Sequence, residues 1–158
     1  MVESRKMSES RTIQTKLVLP PDTNHLDTIF GGQVLAFIDE IAAITAMKHA
    51  QMPVVTASID SVDFLSSAVV GDVLELEANV SSTGRTSMEV YVMVHSSNLL
   101  TNETKLTTES FLTMVAIGPD NRPTPVPSVV PESEGEKRIF ESAPARRLHR
   151  KQRLEMKH

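Results

Sequence analysis

The segment Gly31 to Gln51 constrains the fold most, because its apolar residues recur with the period of an α-helix on nearly every side. One side carries Val34, Leu35, Ile38, Ile41, Ala42 and Thr45, and the other carries Ala36, Phe37, Ala43, Ile44 and Ala46. A helix of about 20 residues is roughly 30 Å long, and one with apolar residues all round is normally buried. The sequence therefore predicts one long central helix that a sheet covers on most faces.

Five other segments have the composition and alternation of β-strands. They are Thr12 to Leu19, Val54 to Leu65, Asp72 to Ser82, Arg85 to Ser96 and Lys105 to Ile117. Polar connections between the later strands predict hairpins, so we expect the last four strands to form an antiparallel meander. The order of elements predicts an α+β chain with the hotdog fold, in which a long antiparallel sheet wraps around one central helix.

The 158 residues have the length of one domain, which we divide into four parts. Residues 1–10 are polar and predict a flexible N-terminus, and residues 11–118 form the hotdog domain. Residues 119–136 predict a linker rich in proline and acidic residues. Residues 137–158 predict a basic C-terminal tail that is helical but interrupted near Pro144.

Charge is divided unevenly along the chain. Residues 137–158 carry eight of the sixteen Lys and Arg but only two of the twenty Asp and Glu, so the rest of the chain is acidic. Such a tail can be a nucleic-acid arm, a device that captures an anionic substrate, or a solvated helix. Because the chain has no Trp, one Tyr and five Phe, and no recognised nucleic-acid module, we expect no nucleic-acid partner.

The absence of cysteine excludes thiol nucleophiles, disulfides and zinc sites that contain cysteine. The five histidines have no spacing typical of metal ligands, so we expect no metal. The N-terminus lacks the apolar core of a secretory signal, and no apolar window is long enough to span a membrane. We therefore expect a cytoplasmic protein without a membrane partner.

Two carboxylates, Asp39 and Glu40, interrupt the apolar helix. The helix neighbours of Asp39 are apolar, and a carboxylate in such surroundings is a stronger base than one in water. Such a group suits general-base catalysis. An equally good interpretation is that Asp39 marks the solvent edge of the helix, and periodicity does not choose between the two carboxylates.

Gly31 and Gly32 begin this helix, where backbone N–H groups have no intrahelical partner. An oxygen that acquires negative charge can be stabilised there by the free amides and the helix dipole. Asp39 follows Gly32 by nearly two turns, about 10 Å along the helix axis. The alternative is a tight turn from loop to helix without a catalytic role.

Several motifs together resemble the hotdog acyl-CoA thioesterases of the bacterial YciA and brain acyl-CoA hydrolase type. They are DTNHLDTIFGGQ at residues 22–33, FIDE at 37–40, VDFL at 62–65, GD at 71–72 and TGRTS at 83–87. The resemblance covers about residues 10–118. It implies that Asn24 and Asp39 form the active site, contributed by different protomers across a dimer interface, and so favours Asp39 over Glu40.

The resemblance implies hydrolysis of acyl-CoA to a free fatty acid and CoA, with no cofactor beyond the CoA of the substrate and product. The side-chain amide of Asn24 and the Gly32 amide are expected to polarise the thioester carbonyl. Asp39 then acts either as general base on water or as nucleophile, and both routes remain open. The alternative is a sensor that binds acyl-CoA without hydrolysing it and does not need Asp39.

The resemblance makes the turn TGRTS the expected contact of the pantetheine and diphosphate. Gly84 lets the backbone approach phosphate oxygens, while Arg85, Thr86 and Ser87 offer donors. An ordinary hairpin turn is the alternative. Gly31 and Phe64 are further expected substrate contacts. We also expect a homo-oligomer, at least a dimer and in this family commonly a hexamer built as a trimer of dimers.

Two positions depart from the family. Asp27 stands where a glycine is usual, and Ser67 stands where a proline is common. The carboxylate of Asp27 adds negative charge beside the expected site and is expected to disfavour anionic acyl groups. Neither departure removes a catalytic group.

Overall fold

The computed structural model describes residues 4–156, so the first three residues of the predicted flexible N-terminus and the last two of the predicted tail lie outside the described residues. A short 3₁₀ turn, Pro20–Asp22, lies just before the loop that leads into the central helix. The remaining elements are β1 (Ser4–Lys6), α1 (Met7–Ser10), β2 (Thr12–Leu17), α2 (Gly31–Ala50), β3 (Val54–Phe64), β4 (Val73–Thr83), β5 (Ser87–Asn98), β6 (Glu103–Ala116), β7 (Ser128–Val130) and α3 (Glu134–Glu155).

Helix α2 confirms the predicted central helix, but the chain buries only one of its sides. Val34, Ile38 and Ile41 are at most 1% exposed and pack on the sheet, whereas Met47 is 42% exposed and Ala36 is open to solvent. The prediction that the sheet covers most faces is therefore wrong for the single chain. No helix within residues 4–156 is both long and apolar enough to cross a membrane.

The five long strands form one antiparallel sheet in the order β2-β4-β5-β6-β3. Strands β4, β5 and β6 form the predicted meander, but β3 pairs with β6 at the far edge and not with β4. The segment after β3 crosses the end of the sheet, where Thr28 bridges Val69. The sheet wraps α2, which confirms the predicted α+β hotdog fold.

The N-terminal residues differ from the predicted flexible segment. Strand β1 pairs in parallel with β7, and α1 packs against β4 and α2. Met7 is completely buried in the core, and the Ser10 hydroxyl accepts a hydrogen bond from the Val80 amide at 2.9 Å. A buried methionine, a hydrogen bond to β4 and strand pairing with β7 together anchor this polar segment.

The predicted linker and tail also differ from the structure. Strand β7 lies inside the linker, and α3 begins at Glu134, where the Ser133 hydroxyl accepts a hydrogen bond from the Glu136 amide. The helix continues through Pro144, so the predicted interruption is wrong. Proline removes one backbone hydrogen bond, but Ala143, which is 1% exposed, and Arg146, paired with Glu89 at 2.8 Å, hold that part of α3 on the sheet.

We predict that Met7→Ala lowers the free energy of unfolding by about 2–5 kcal/mol, because it leaves a cavity beside α2. Chemical denaturation of the full chain measures this. Met156→Ala is the matched control, since Met156 is 85% exposed, and it should leave stability unchanged. A Met7→Ala protein as stable as the unsubstituted chain would contradict the packing of the N-terminal segment.

Candidate functional site

Helix α2 begins without a capping side chain. Phe30 occupies the N-cap position, where Ser, Thr, Asp or Asn would otherwise bond to the first amides. Its carbonyl accepts hydrogen bonds from the Gln33 and Val34 amides. Within residues 4–156 the amides of Gly31 and Gly32 have no hydrogen-bond acceptor. Those two N–H groups are available to an oxygen that approaches the positive end of the helix.

Asn24 lies in the loop that leads into α2, and its side chain holds that loop in shape. Its Oδ1 accepts a hydrogen bond from the Leu26 amide at 2.9 Å, and its Nδ2 donates to the Thr28 hydroxyl at 3.0 Å. An asparagine amide has two N–H donors, so one remains for another acceptor. The loop therefore fixes the orientation of the amide without using all of its donors.

Position 27, where the family resemblance predicts a glycine, has a backbone conformation that suits glycine. Asp27 has φ of 61°, in the left-handed region that glycine adopts without strain. Aspartate tolerates this region better than most side chains because its short polar group can bond locally. The loop therefore keeps its shape with Asp27, whose exposed carboxylate adds charge near Asn24.

The two carboxylates of α2 have different surroundings. The Thr56 hydroxyl on β3 donates a hydrogen bond of 2.6 Å to Asp39 Oδ1. Glu40 is exposed and forms an ion pair with Lys16 at 3.5 Å, the distance of a weak surface contact. The structure therefore holds Asp39 in one orientation against the sheet and leaves Glu40 at the surface.

The turn that contains Gly84, Arg85, Thr86 and Ser87 lies at the same end of the sheet as the partner of Asp39. Thr56 pairs with a β6 residue, Met114, which in turn pairs with Met88, the residue after this turn. Two strand spacings, about 10 Å, separate the turn from Thr56. Gly84 and Ser87 close the turn through a backbone hydrogen bond of 2.9 Å, and Arg85 is exposed.

A cavity of about 360 Å³ opens beside the start of α2. Gly31 and Phe64, both predicted substrate contacts, line it, and a Cβ at position 31 would lie 3.5 Å from the Phe64 ring. Its other lining residues are Ile29, Val34, Leu65, Ser66, Ser67, Thr107 and Thr108. Except for the hydroxyls, this wall is apolar.

In the single chain Asn24 and Asp39 make no hydrogen bond to each other. Their side-chain hydrogen bonds within residues 4–156 go to different partners, and neither residue lines the cavity beside Gly31. The part of the chain that is described also contains no cluster of three or more His, Asp or Glu side chains able to hold a metal ion.

Thr56 is the residue that sequence reasoning missed. It lies in a predicted strand with no motif around it, and its contact with Asp39 arises only because β3 runs back beside α2. The sequence around a single threonine in a strand contains no pattern that marks it as a functional residue. Only the pairing of helix and strand in the folded chain identifies it.

Comparison with known proteins places these features in a family. The model of the thioesterase superfamily matches residues 26–101. The uncharacterized acyl-CoA thioester hydrolase YkhA of Bacillus subtilis is 44% identical over 96% of this chain and 88% of its own length. The cytosolic acyl coenzyme A thioester hydrolase of the rat is 32% identical over 94% of this chain, which spans only 40% of the rat protein.

Two crystal structures are similar over nearly the whole chain. An apo-hexameric acyl-CoA thioesterase is 69% identical, with 97% of this chain and 98% of that chain covered and a TM-score of 0.95. An acyl-CoA hydrolase from Staphylococcus aureus, solved with butyryl-CoA and CoA, is 48% identical, with 98% and 94% covered and a TM-score of 0.92.

Variants of the Staphylococcus aureus enzyme have been solved with alanine in place of an asparagine, an aspartate and a threonine. In the present chain Asn24, Asp39 and Thr56 follow one another in the same order and at the same spacing. The chain belongs to the acyl-CoA thioester hydrolases of the thioesterase superfamily.

Proposed function

We propose that the protein hydrolyses the thioester of acyl-CoA to a free fatty acid and CoA. The observation that carries the proposal is the Asp39 carboxylate, held at 2.6 Å by Thr56 on a helix whose first amides are free. A fixed base and fixed oxyanion donors are the two components that hydrolysis of an acyl group requires.

The proposed reaction begins with the thioester carbonyl oxygen at the Gly32 amide and the free N–H of Asn24. Asp39 removes a proton from water as the water oxygen bonds to the carbonyl carbon, or it attacks that carbon itself to form an acyl anhydride that water hydrolyses after CoA has left. The amides stabilise the oxyanion of the tetrahedral intermediate. The carbon–sulfur bond then breaks and CoA leaves as a thiolate that takes up a proton. This chemistry uses no metal and no cofactor.

The substrate would extend in two directions from Gly32. The apolar cavity lined by Gly31 and Phe64 suits the acyl group, because apolar walls favour an apolar chain. The turn with Gly84, Arg85, Thr86 and Ser87 suits the pantetheine and diphosphate, since exposed Arg85 offers a charge-assisted contact.

A dimer supplies the link between Asn24 and Asp39 that one chain lacks. The open face of α2 includes Met47, and the edge strand β3 exposes Val55, Ile59 and Phe64, each at least 39%. A long, apolar edge and an apolar helix face are surfaces that a second copy covers. We propose a homodimer with shared sites, assembled into a hexamer as in the apo-hexameric relative.

We also propose a cytoplasmic location, which the name of the rat relative supports. The expected partner is the small-molecule substrate and not nucleic acid.

Asp39→Ala should lower kcat by about 10²-fold or more, because it removes the base, while CoA affinity stays nearly unchanged. Thiol release from acyl-CoAs of rising chain length measures activity, and calorimetry measures CoA binding. Glu40→Gln is the matched control and should hydrolyse acyl-CoA normally, since Glu40 is a surface residue. Normal turnover by Asp39→Ala would contradict the assignment of Asp39 as the base or nucleophile. If the unsubstituted chain shows no turnover, the result would favour a sensor that binds acyl-CoA without hydrolysing it.

Thr56→Val should lower kcat about ten-fold with little change in KM, because the hydrogen bond that orients Asp39 is lost without loss of volume. Thr56→Ser keeps the hydroxyl and should restore most of the rate. Equal rates for the valine and serine variants would show that Thr56 does not position Asp39.

Mixing the inactive variants Asn24→Ala and Asp39→Ala, after dissociation and reassembly, should recover about a quarter of the normal activity. Half of the dimers are then hybrids, and each hybrid has one intact site of two. Each variant reassembled alone is the control. A mixture that stays inactive, although hybrid dimers are detected by mass spectrometry, would mean that each site is formed within one chain.

A further inference from the structure

A second cavity, of about 420 Å³, lies on the side of the sheet that faces away from α2. Helix α3 forms its roof, and the outward residues of β3, β4, β5 and β6 form its floor. Phe111 on the floor and Ala143 and Ala145 on the roof give it an apolar wall. Its volume is within the range of about 300–1,000 Å³ that small-molecule sites occupy.

Four arginines of α3 line this cavity, and two carboxylates of the sheet face them. Arg146 pairs with Glu89 at 2.8 Å, and Arg150 and Arg153 both pair with Asp60, at 3.3 and 2.9 Å. The lining of this cavity therefore carries net positive charge, whereas residues 1–136 together carry net negative charge.

Asp60 is fixed as a charged partner. Burial alone would raise the pKa of its carboxyl group, but hydrogen bonds from Thr113, Ser58 and Arg153 outweigh that effect and lower the pKa below its ordinary value. Asp60 therefore neutralises one of its two arginines near neutral pH, and the pair keeps one excess positive charge.

Arg147 differs from the other three arginines because no carboxylate within residues 4–156 pairs with it. Its Nη2 donates to the Ser82 hydroxyl at 2.7 Å and to the Thr83 carbonyl oxygen at 3.4 Å, both uncharged acceptors. These bonds hold one edge of the guanidinium and leave the other N–H groups for a ligand. A planar guanidinium held in this way is suited to a phosphate, which accepts two parallel hydrogen bonds.

The cavity reaches the turn already proposed to contact CoA. Gly84 and Ser87 line it beside Arg147. A Cβ at position 84 would lie 2.7 Å from the Ser87 hydroxyl oxygen, so glycine is what allows this hydroxyl to approach the backbone so closely. Hydroxyls, an apolar wall and a guanidinium with no carboxylate partner among the described residues thus line the same cavity.

We propose that this cavity binds a phosphorylated nucleoside, with Arg147 as its phosphate ligand and the wall around Phe111 in contact with the nucleoside. The ligand has two possible sources, the nucleotide end of the acyl-CoA substrate or a free nucleotide that regulates the enzyme. Only the first source rests on the proposed function.

Titration calorimetry of the full chain with adenosine 3′,5′-bisphosphate tests the site directly. The unsubstituted protein should bind it, more weakly as salt concentration rises. Arg147→Gln should raise Kd about ten-fold or more, which is the loss expected for a hydrogen bond to a charged group. Arg138→Gln removes the same charge from the same helix outside the cavity and should leave Kd unchanged. No binding by the unsubstituted protein, or the same Kd for Arg147→Gln, would overturn the proposal.

Steady-state kinetics then separates the two sources. Competitive inhibition by the bisphosphate, with KM raised both for Arg147→Gln and for acyl-3′-dephospho-CoA, identifies the nucleotide end of the substrate. A change in kcat without competition, lost in Arg147→Gln, identifies a regulatory nucleotide. Inhibition that is identical in Arg147→Gln and in the unsubstituted enzyme would contradict the site. Calorimetric binding without any thioester hydrolysis would instead refute the proposed function and leave the nucleotide site standing.

Discussion

The packing of one side of α2 against the wrapped sheet is the interaction on which the rest of the structure depends. Val34, Ile38 and Ile41 are almost completely buried, and each buried side chain of this size contributes about 1.5–3 kcal/mol. That contact fixes how far α2 lies along the sheet and how it is rotated. It therefore also determines where the free amides of Gly32 lie and which side of the helix meets Thr56.

Because α2 is buried on only one side, the single chain exposes apolar surface that a second copy can cover. The face of α2 opposite the sheet is apolar yet only partly covered, and β3 has an unpaired edge with exposed apolar side chains. Asp39 lies between these two regions because it is on α2 and bonded to β3. A copy that covers both surfaces would also exclude water from the reacting groups, and exclusion of water strengthens the hydrogen bonds of the helix amides to a developing oxyanion. Assembly and catalysis thus make use of the same open surface.

Local patterns predicted the central helix, the strands and the glycines at the start of α2, whereas the other candidate site residues came from the family resemblance and stay predictions. The apolar period placed α2 within one residue of its observed end, and the glycines at its start are the residues whose amides are free. The choice of Asp39 over Glu40 came from the family resemblance, and the contact with Thr56 now gives it a structural reason. Long-range pairing was beyond sequence reasoning: neither the position of β3 beside β6 nor the contact with Thr56 has a local signal.

The ends of the chain were predicted poorly for a related reason. Polar composition predicts a flexible segment, and a proline predicts the end of a helix. Both predictions consider a residue without its tertiary neighbours. Met7 in the core and Ala143 against the sheet, with the strand pairing and the ion pair beside them, show that tertiary contacts can order such a segment and keep such a helix intact.

The uneven charge of the sequence has a structural basis in the choice of arginine for α3. An exposed ion pair contributes little, but the pairs of Arg146 with Glu89 and of Arg153 with Asp60 are half-buried and hydrogen-bonded. Arg146 also lies over the Phe111 ring at 4.1 Å, a stacking contact that a lysine makes less well. Because two carboxylates face four arginines, docking of α3 does not use all of the positive charge. The surplus lies at Arg147, beside the turn at Gly84, where an acidic protein that acts on an anionic substrate most needs a cation.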